Sequence, residues 1–377
     1  MNPLIELQQY GQSIWYDNIE RRLLNNGELA RLIDEDGVLG LTSNPSIFEK
    51  AISGSNDYDA EIGKLAAEGR DASQIYEVLT IQDIRQAADL LRAVYDRTGG
   101  LDGYASLEVS PHLAHDTENT VAEGRRLFAA VNRPNLMIKV PGTPAGIPAI
   151  EELIGSGINV NVTLLFARSA YEDAARAYIR GLERYAVQGG DVGQVASVAS
   201  FFVSRIDSKV DGRVGGLLGE AGDPQRQASL ERLRGQIAIA NSKLAYHRFL
   251  EIFDEPRSGA LRAKGARIQR MLWASTSTKN PAYPDTMYVT ELVGPDTVNT
   301  VPQVTLDAFR DHGLVRGNTV LEGLEEARER CDALAAASID LDEVTSELLA
   351  EGVAAFATSY DRLLTVIAEK RAALAAA

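Results

Sequence analysis

A single cysteine in 377 residues, Cys331, rules out an internal disulfide and any multi-cysteine metal site. It sits in the helical pattern ARERCDALAA, where a small buried thiol is ordinary, and such scarcity fits a reducing, cytoplasmic setting. Positive charge is also short: 38 Lys and Arg face 53 Asp and Glu, for a formal net charge of −15. A chain this acidic repels nucleic-acid backbones and anionic membrane surfaces, so neither is an expected partner. No apolar run approaches the ~18 residues of a membrane span. The N-terminal stretch MNPLIELQQYGQSIWYD has neither the basic nor the apolar region of a signal peptide. No Pro/Gly/Ser-rich linker or abrupt shift in composition divides the chain. The glycines of GTPAG at 142–146 lack the spacing of a nucleotide phosphate loop.

What is present is an alternation of short apolar strands with amphipathic helices, the pattern of a parallel α/β sheet or barrel. Eight segments read as strands: 13–18, 39–44, 104–110, 135–142, 158–166, 196–205, 267–276 and 287–292. Helical patterns such as TENTVAEGRRLFAAVN (117–132) fill every gap but the last. Eight such units need ~250 residues, and insertions are tolerated beyond that. The expectation is a (β/α)8 TIM barrel spanning 1–377 as one decorated domain. Extra helices are expected after the second strand, and residues 303–377 as C-terminal helices packed on the barrel.

Alternate strand residues point to opposite faces, and barrel enzymes build their sites at the C-terminal strand ends. In NLMIKVPGTPAG (135–146), Leu136, Ile138 and Val140 share the helix-facing side, which turns Lys139 inward. The same sorting turns Asp17, Asn44, Glu108, Asn161, Thr163 and Ser200 toward the same end, with Phe202 in line and Arg205 just past its strand. One buried polar group is readily satisfied by backbone or water; convergence from six strands is the signal.

A buried ammonium is costly unless it is paired or neutralised. A desolvated lysine with a depressed pKa is a nucleophile toward carbonyls and forms a Schiff base, provided a carboxylate moves the protons. Glu108 and Asp17 are two such carboxylates, and Asn44, Asn161, Thr163 and Ser200 suit a polyhydroxy substrate. No histidine lies on these strands, and His112 with His115 would lack further ligands, so no metal is expected.

LTSNPSIF (41–48), the block around Lys139, INVNVTLLF (158–166), SLEVSP (106–111) and SFFVSR (200–205) resemble, in order, the motifs of the transaldolase family. That resemblance implies a class I, Schiff-base-forming aldolase-type barrel that needs no cofactor. Its members transfer a dihydroxyacetone unit from sedoheptulose 7-phosphate or fructose 6-phosphate to glyceraldehyde 3-phosphate or erythrose 4-phosphate in the pentose phosphate pathway. Lys139 would then carry the Schiff base and Asp17 would be the acid/base for the carbon–carbon bond. Glu108 and Thr163 would hold the catalytic water, Asn44, Asn161 and Ser200 would bind hydroxyls, and Phe202 would line the pocket. For phosphate the resemblance points to Arg205 and to WASTSTK (273–279), with Ser275. There the chain departs from the better-known pattern, since Ser277 stands where arginine is common, and Lys279 is a candidate replacement. Fructose 6-phosphate aldolases on the same scaffold are the nearest alternative; they are shorter and tend to carry glutamine at the position of Glu108. A non-catalytic sugar-phosphate-binding barrel is a further one. Sugar phosphates are the expected partners, in a monomer or homodimer.

Overall fold

Eight short runs of apolar and β-branched residues form the strands of the computed structural model, which describes residues 2–375. They are β1 (Gln12–Tyr16), β2 (Val38–Leu41), β3 (Ala105–Glu108), β4 (Leu136–Pro141), β5 (Val160–Leu165), β6 (Ser197–Phe202), β7 (Arg270–Ala274) and β8 (Thr297–Val301). Each pairs in parallel with the next, and β8 pairs with β1, closing the barrel. The TIM barrel expected from the strand–helix alternation is therefore the observed architecture.

Seven strands lie inside the segments expected or within a residue of them, and one expectation fails. Residues 287–292 do not form the eighth strand: Met287–Thr290 is a helical turn, and the strand comes later, at Thr297–Val301. Tyr288, Val289 and Leu292 are buried, a spacing that suits a helical turn as well as an extended run. The true strand was hidden by reversed polarity. Thr300 faces the barrel interior, so Thr297 and Asn299 point outward, yet both are fully buried. Side chains bond them there: Gln12 Nε2 donates to Thr297 Oγ1 at 3.0 Å, and Thr276 donates to Asn299 Oδ1 at 2.9 Å, while Asn299 Nδ2 has no partner among the described residues.

The extra helices lie where expected. After β2 come Pro45–Ser53, Asp59–Ala67 and Ala72–Leu90, the last opened by a capping box of Asp71 and Gln74. The terminal helix, Leu341–Ala375, starts where Asp340 Oδ1 accepts the Asp342 N–H at 2.9 Å. It lies on the post-β2 helices: Ser359 bonds Ser46 at 2.8 Å, and Lys370 Nζ reaches Asp59 Oδ1 at 2.6 Å. No helix among the described residues is long and apolar enough to cross a membrane.

The lower barrel interior is filled by Trp15 and a buried ion pair between Arg270 and Asp102 at 3.0 Å. Gly40 faces Trp15 so closely that a Cβ there would lie 2.5 Å from the indole, which fixes glycine at that point of β2. This plug leaves the upper end of the barrel for the site.

Candidate active site

Strand register places Glu108, Lys139 and Asn161 side by side, because Glu108 pairs with Lys139 and Lys139 with Asn161. Lys139 Nζ lies 3.2 Å from Glu108 Oε2 and donates to the Ser43 carbonyl at 3.0 Å. Both side chains are buried, at 5% and 3% exposure. Burial pushes the Glu108 carboxyl above its ordinary value of 4.5, against the opposing pull of Lys139. Neither Glu108 oxygen meets hydrogen-bond geometry, and Thr163 Oγ1 is likewise buried without a partner among the described residues. Two unsatisfied groups of this kind are costly in a finished core and common where a reacting group is to be bound.

Asp17 lies just past β1, half-buried at the floor of a cavity of about 280 Å³. Thr42 Oγ1 donates to Asp17 Oδ1 at 2.6 Å and itself receives Thr300 Oγ1 at 2.6 Å, since its one hydrogen is committed to the carboxylate. Desolvation raises the Asp17 carboxyl above the usual range; Lys139, the Thr42 bond, Arg205 and Lys279 oppose that rise in decreasing order. Burial thus raises both carboxyls around Lys139 above their ordinary values.

The cavity brings together Asp17, Asn44, Lys139, Thr163, Ser200, Phe202, Arg205, Ser275 and Lys279. Glu108 and Asn161 stand one step deeper. Asn161 is fully buried, takes the Ser200 hydroxyl on Oδ1 at 2.7 Å and donates to Ser106 Oγ at 3.1 Å, so it meets the cavity through Ser200. Asn44 caps the helix Pro45–Ser53 by accepting the Ile47 N–H on Oδ1 at 3.0 Å, which leaves its amide nitrogen for the cavity.

At the mouth three cations gather: Arg205, Lys279 and Lys50. Among the described residues none has a carboxylate within ion-pair distance, although the chain carries 53 acidic residues. Lys279 Nζ contacts Ser277 Oγ at 2.6 Å, and the Arg205 guanidinium lies 5.4 Å from the Phe202 ring centroid. Burial lowers both Lys279 and Arg205 from their ordinary values, and Arg205 and Lys50 press Lys279 further in that direction. Leu164 (φ +59°) and Ser275 (φ +55°), at the ends of β5 and β7, take left-handed backbone that non-glycine residues adopt at a cost of roughly 1–3 kcal/mol. Ser275 Oγ is held by Ser204 Oγ at 2.9 Å.

Sequence reasoning missed Thr42, Thr300, Lys50 and Phe356. Lys50 lies two residues past the LTSNPSIF motif, on the helix that Asn44 caps and three residues after the cavity residue Ile47, so helical spacing was the available signal. Thr300 was lost with the misplaced eighth strand, and nothing local marks Phe356.

The family model described as Transaldolase/Fructose-6-phosphate aldolase matches residues 14–367. The chain belongs to that family. It is 48% identical over 371 residues to a protein named Transaldolase from Trichodesmium erythraeum, covering 98% of this chain and 97% of the other. It is also 48% identical over 373 residues to Transaldolase 2 of a Nostoc species, with 98% of each chain covered, and 48% identical over 369 residues to the Transaldolase of Frankia alni, with 98% and 97% covered. The family resemblance in the motifs and the (β/α)8 fold therefore agree along nearly the whole chain.

Proposed function

We propose that the chain, acting over 1–377 as one decorated barrel domain in the cytoplasm, is a transaldolase of the pentose phosphate pathway that uses Lys139 as its Schiff-base residue. The neutral amine of Lys139 adds to the ketone of fructose 6-phosphate or sedoheptulose 7-phosphate after Glu108 accepts its proton. Glu108 and Thr163 bind the water lost as the carbinolamine dehydrates. Asp17 takes the proton of the hydroxyl next to the scissile bond, the aldose phosphate leaves, and an enamine remains on Lys139. That enamine attacks the aldehyde of glyceraldehyde 3-phosphate or erythrose 4-phosphate, Asp17 returns the proton, and the water held by Glu108 hydrolyses the new Schiff base.

Asn44 and Ser200, with Asn161 fixing Ser200 from behind, bind the hydroxyls of the dihydroxyacetone unit, and Phe202 bounds it. Arg205, Ser275, Lys279 and Lys50 take the phosphate. The observation that carries this reading is the buried Lys139–Glu108 contact at 3.2 Å, with a second raised carboxyl, Asp17, in the adjoining cavity. The relatives' printed names favour transfer over the aldolase side of the family.

Borohydride reduction in the presence of fructose 6-phosphate tests it. A sugar adduct on the Lys139 peptide is expected by mass spectrometry, and an unmodified peptide would sink the reading.

A further inference from the structure

The terminal helix lies outside the eight strand–helix units, yet it forms one wall of the cavity. Gly352, Phe356 and Ser359 are spaced four and three residues apart and share one helix face. Gly352 lets the helix settle on the barrel rim, since a Cβ there would come within 2.9 Å of Leu164 Cδ2. One turn on, Phe356 is 3% exposed and lines the cavity, its ring centroid 5.6 Å from Lys139 Nζ. Ser359 then pins the helix to Ser46, beside the cavity residue Asn44. The ring offers no proton and holds no water, while Glu108 and Thr163 approach the lysine from the strands.

We infer that Phe356 is a specificity-determining residue that decides between transfer and release, by keeping solvent off the enamine on Lys139. The inference rests on the Schiff-base reading above. In the productive course the enamine carbon bonds to the acceptor aldehyde carbon, whose oxygen takes the proton from Asp17. In the competing course the enamine carbon takes a proton from solvent instead, giving an iminium. Water then adds to the iminium carbon with loss of a proton, the C–N bond breaks, and free dihydroxyacetone leaves with the Lys139 amine restored. The net reaction consumes one water. Its first step needs solvent at the enamine carbon, where an apolar ring bars it. The same ring lies within cation–π range of the nitrogen that is charged in the iminium.

The test compares the wild-type enzyme with Phe356→Ala and Phe356→Leu, using fructose 6-phosphate as donor and erythrose 4-phosphate as acceptor. Phe356→Ala is expected to raise the ratio of dihydroxyacetone release to transfer about tenfold, a size ordinary for the loss of one discriminating contact. In deuterated water each released dihydroxyacetone then carries one carbon-bound deuterium. Phe356→Leu, which keeps the apolar bulk, stays near the wild-type ratio, and borohydride still traps the adduct in both variants. An unchanged ratio in Phe356→Ala, or equal release by both variants, overturns the inference while leaving the Schiff base intact. A wild-type enzyme that traps no sugar on Lys139 overturns the underlying reading and this inference with it.

Discussion

The barrel holds two buried ion pairs, one at each end, that are nearly alike in distance and burial. Arg270 and Asp102 lie 3.0 Å apart at 6% and 3% side-chain exposure; Lys139 and Glu108 lie 3.2 Å apart at 5% and 3%. What separates them is hydrogen bonding. Asp102 also accepts from Ser13 and Trp15, both at 2.8 Å. Arg270 spends four of its five N–H groups on Leu101, Asp102, Ser13 and Thr297 and leaves its Nε unpaired. The upper pair has none of this surplus: Lys139 adds one backbone carbonyl, and both Glu108 oxygens lack a bond of proper geometry. A densely bonded pair is locked into its charged form, whereas a sparsely bonded pair keeps room for a proton to move and a substrate to bind. Proximity and burial alone would not distinguish structure from chemistry here.

The comparison breaks most sharply under paired substitution. Lys139→Ala is expected to reduce turnover by at least ~10³-fold, because no other amine can take over the covalent step. Its unfolding midpoint in denaturant is expected near that of the wild type, because the Glu108 carboxyl, already raised by burial, becomes neutral once the opposing pull of Lys139 is gone. Arg270→Met should do the reverse, costing about 3–5 kcal/mol of stability by leaving Asp102 buried and unpaired, with turnover per folded molecule unchanged. Steady-state kinetics and urea titration on both variants check this. Retained turnover in Lys139→Ala, or an undamaged fold in Arg270→Met, would erase the distinction.

The two ends were not equally legible in the sequence. Parity along β3, β4 and β5 turned Glu108, Lys139, Asn161 and Thr163 inward, because apolar residues on the opposite face mark the helix side without ambiguity. β8 defeated the same rule, since Thr297 and Asn299 are polar on the outward face and depend on Gln12 and Thr276, from other parts of the chain. The Arg270–Asp102 pair was invisible for a related reason: Asp102 precedes its strand, and 168 residues separate it from its partner. Local pattern reports which way a side chain points. It carries no information on how many bonds that side chain finds, and that count is what distinguishes the two pairs.

A smaller effect sharpens the role of the upper carboxylate. In the proposed mechanism Glu108 acts as a base in its ionised form, and burial raises its pKa above 4.5, so protonation on acidification begins at a higher pH than for an exposed carboxylate. Activity is therefore expected to fall with decreasing pH along a limb whose midpoint lies above 4.5. Glu108→Gln should reduce kcat about 10²-fold, in line with loss of a general base, and move or remove that limb. The pH profile of kcat/KM for both proteins decides the matter. A wild-type limb at the position of an exposed carboxylate would mean that burial does not tune this group.

The smallest expected effect concerns the rim, where the contrast with the lower end is in charge rather than in bonding. Arg270 at the bottom is neutralised by Asp102, but Lys50, Arg205 and Lys279 share the upper cavity without a carboxylate in ion-pair reach among the described residues. In a chain of net charge −15, three unneutralised cations at one mouth form a local reversal of sign, suited to a phosphate and costly to maintain otherwise. Lys50→Ala is expected to raise KM for fructose 6-phosphate about tenfold, or ~1.4 kcal/mol, with kcat changed little, because the phosphate is held alike before and during the chemistry. Unphosphorylated fructose, a poor donor throughout, should be used equally by wild type and variant. If Lys50→Ala impaired both donors alike, the lysine would serve the helix it sits on and not the phosphate, and the rim would reduce to Arg205 and Lys279.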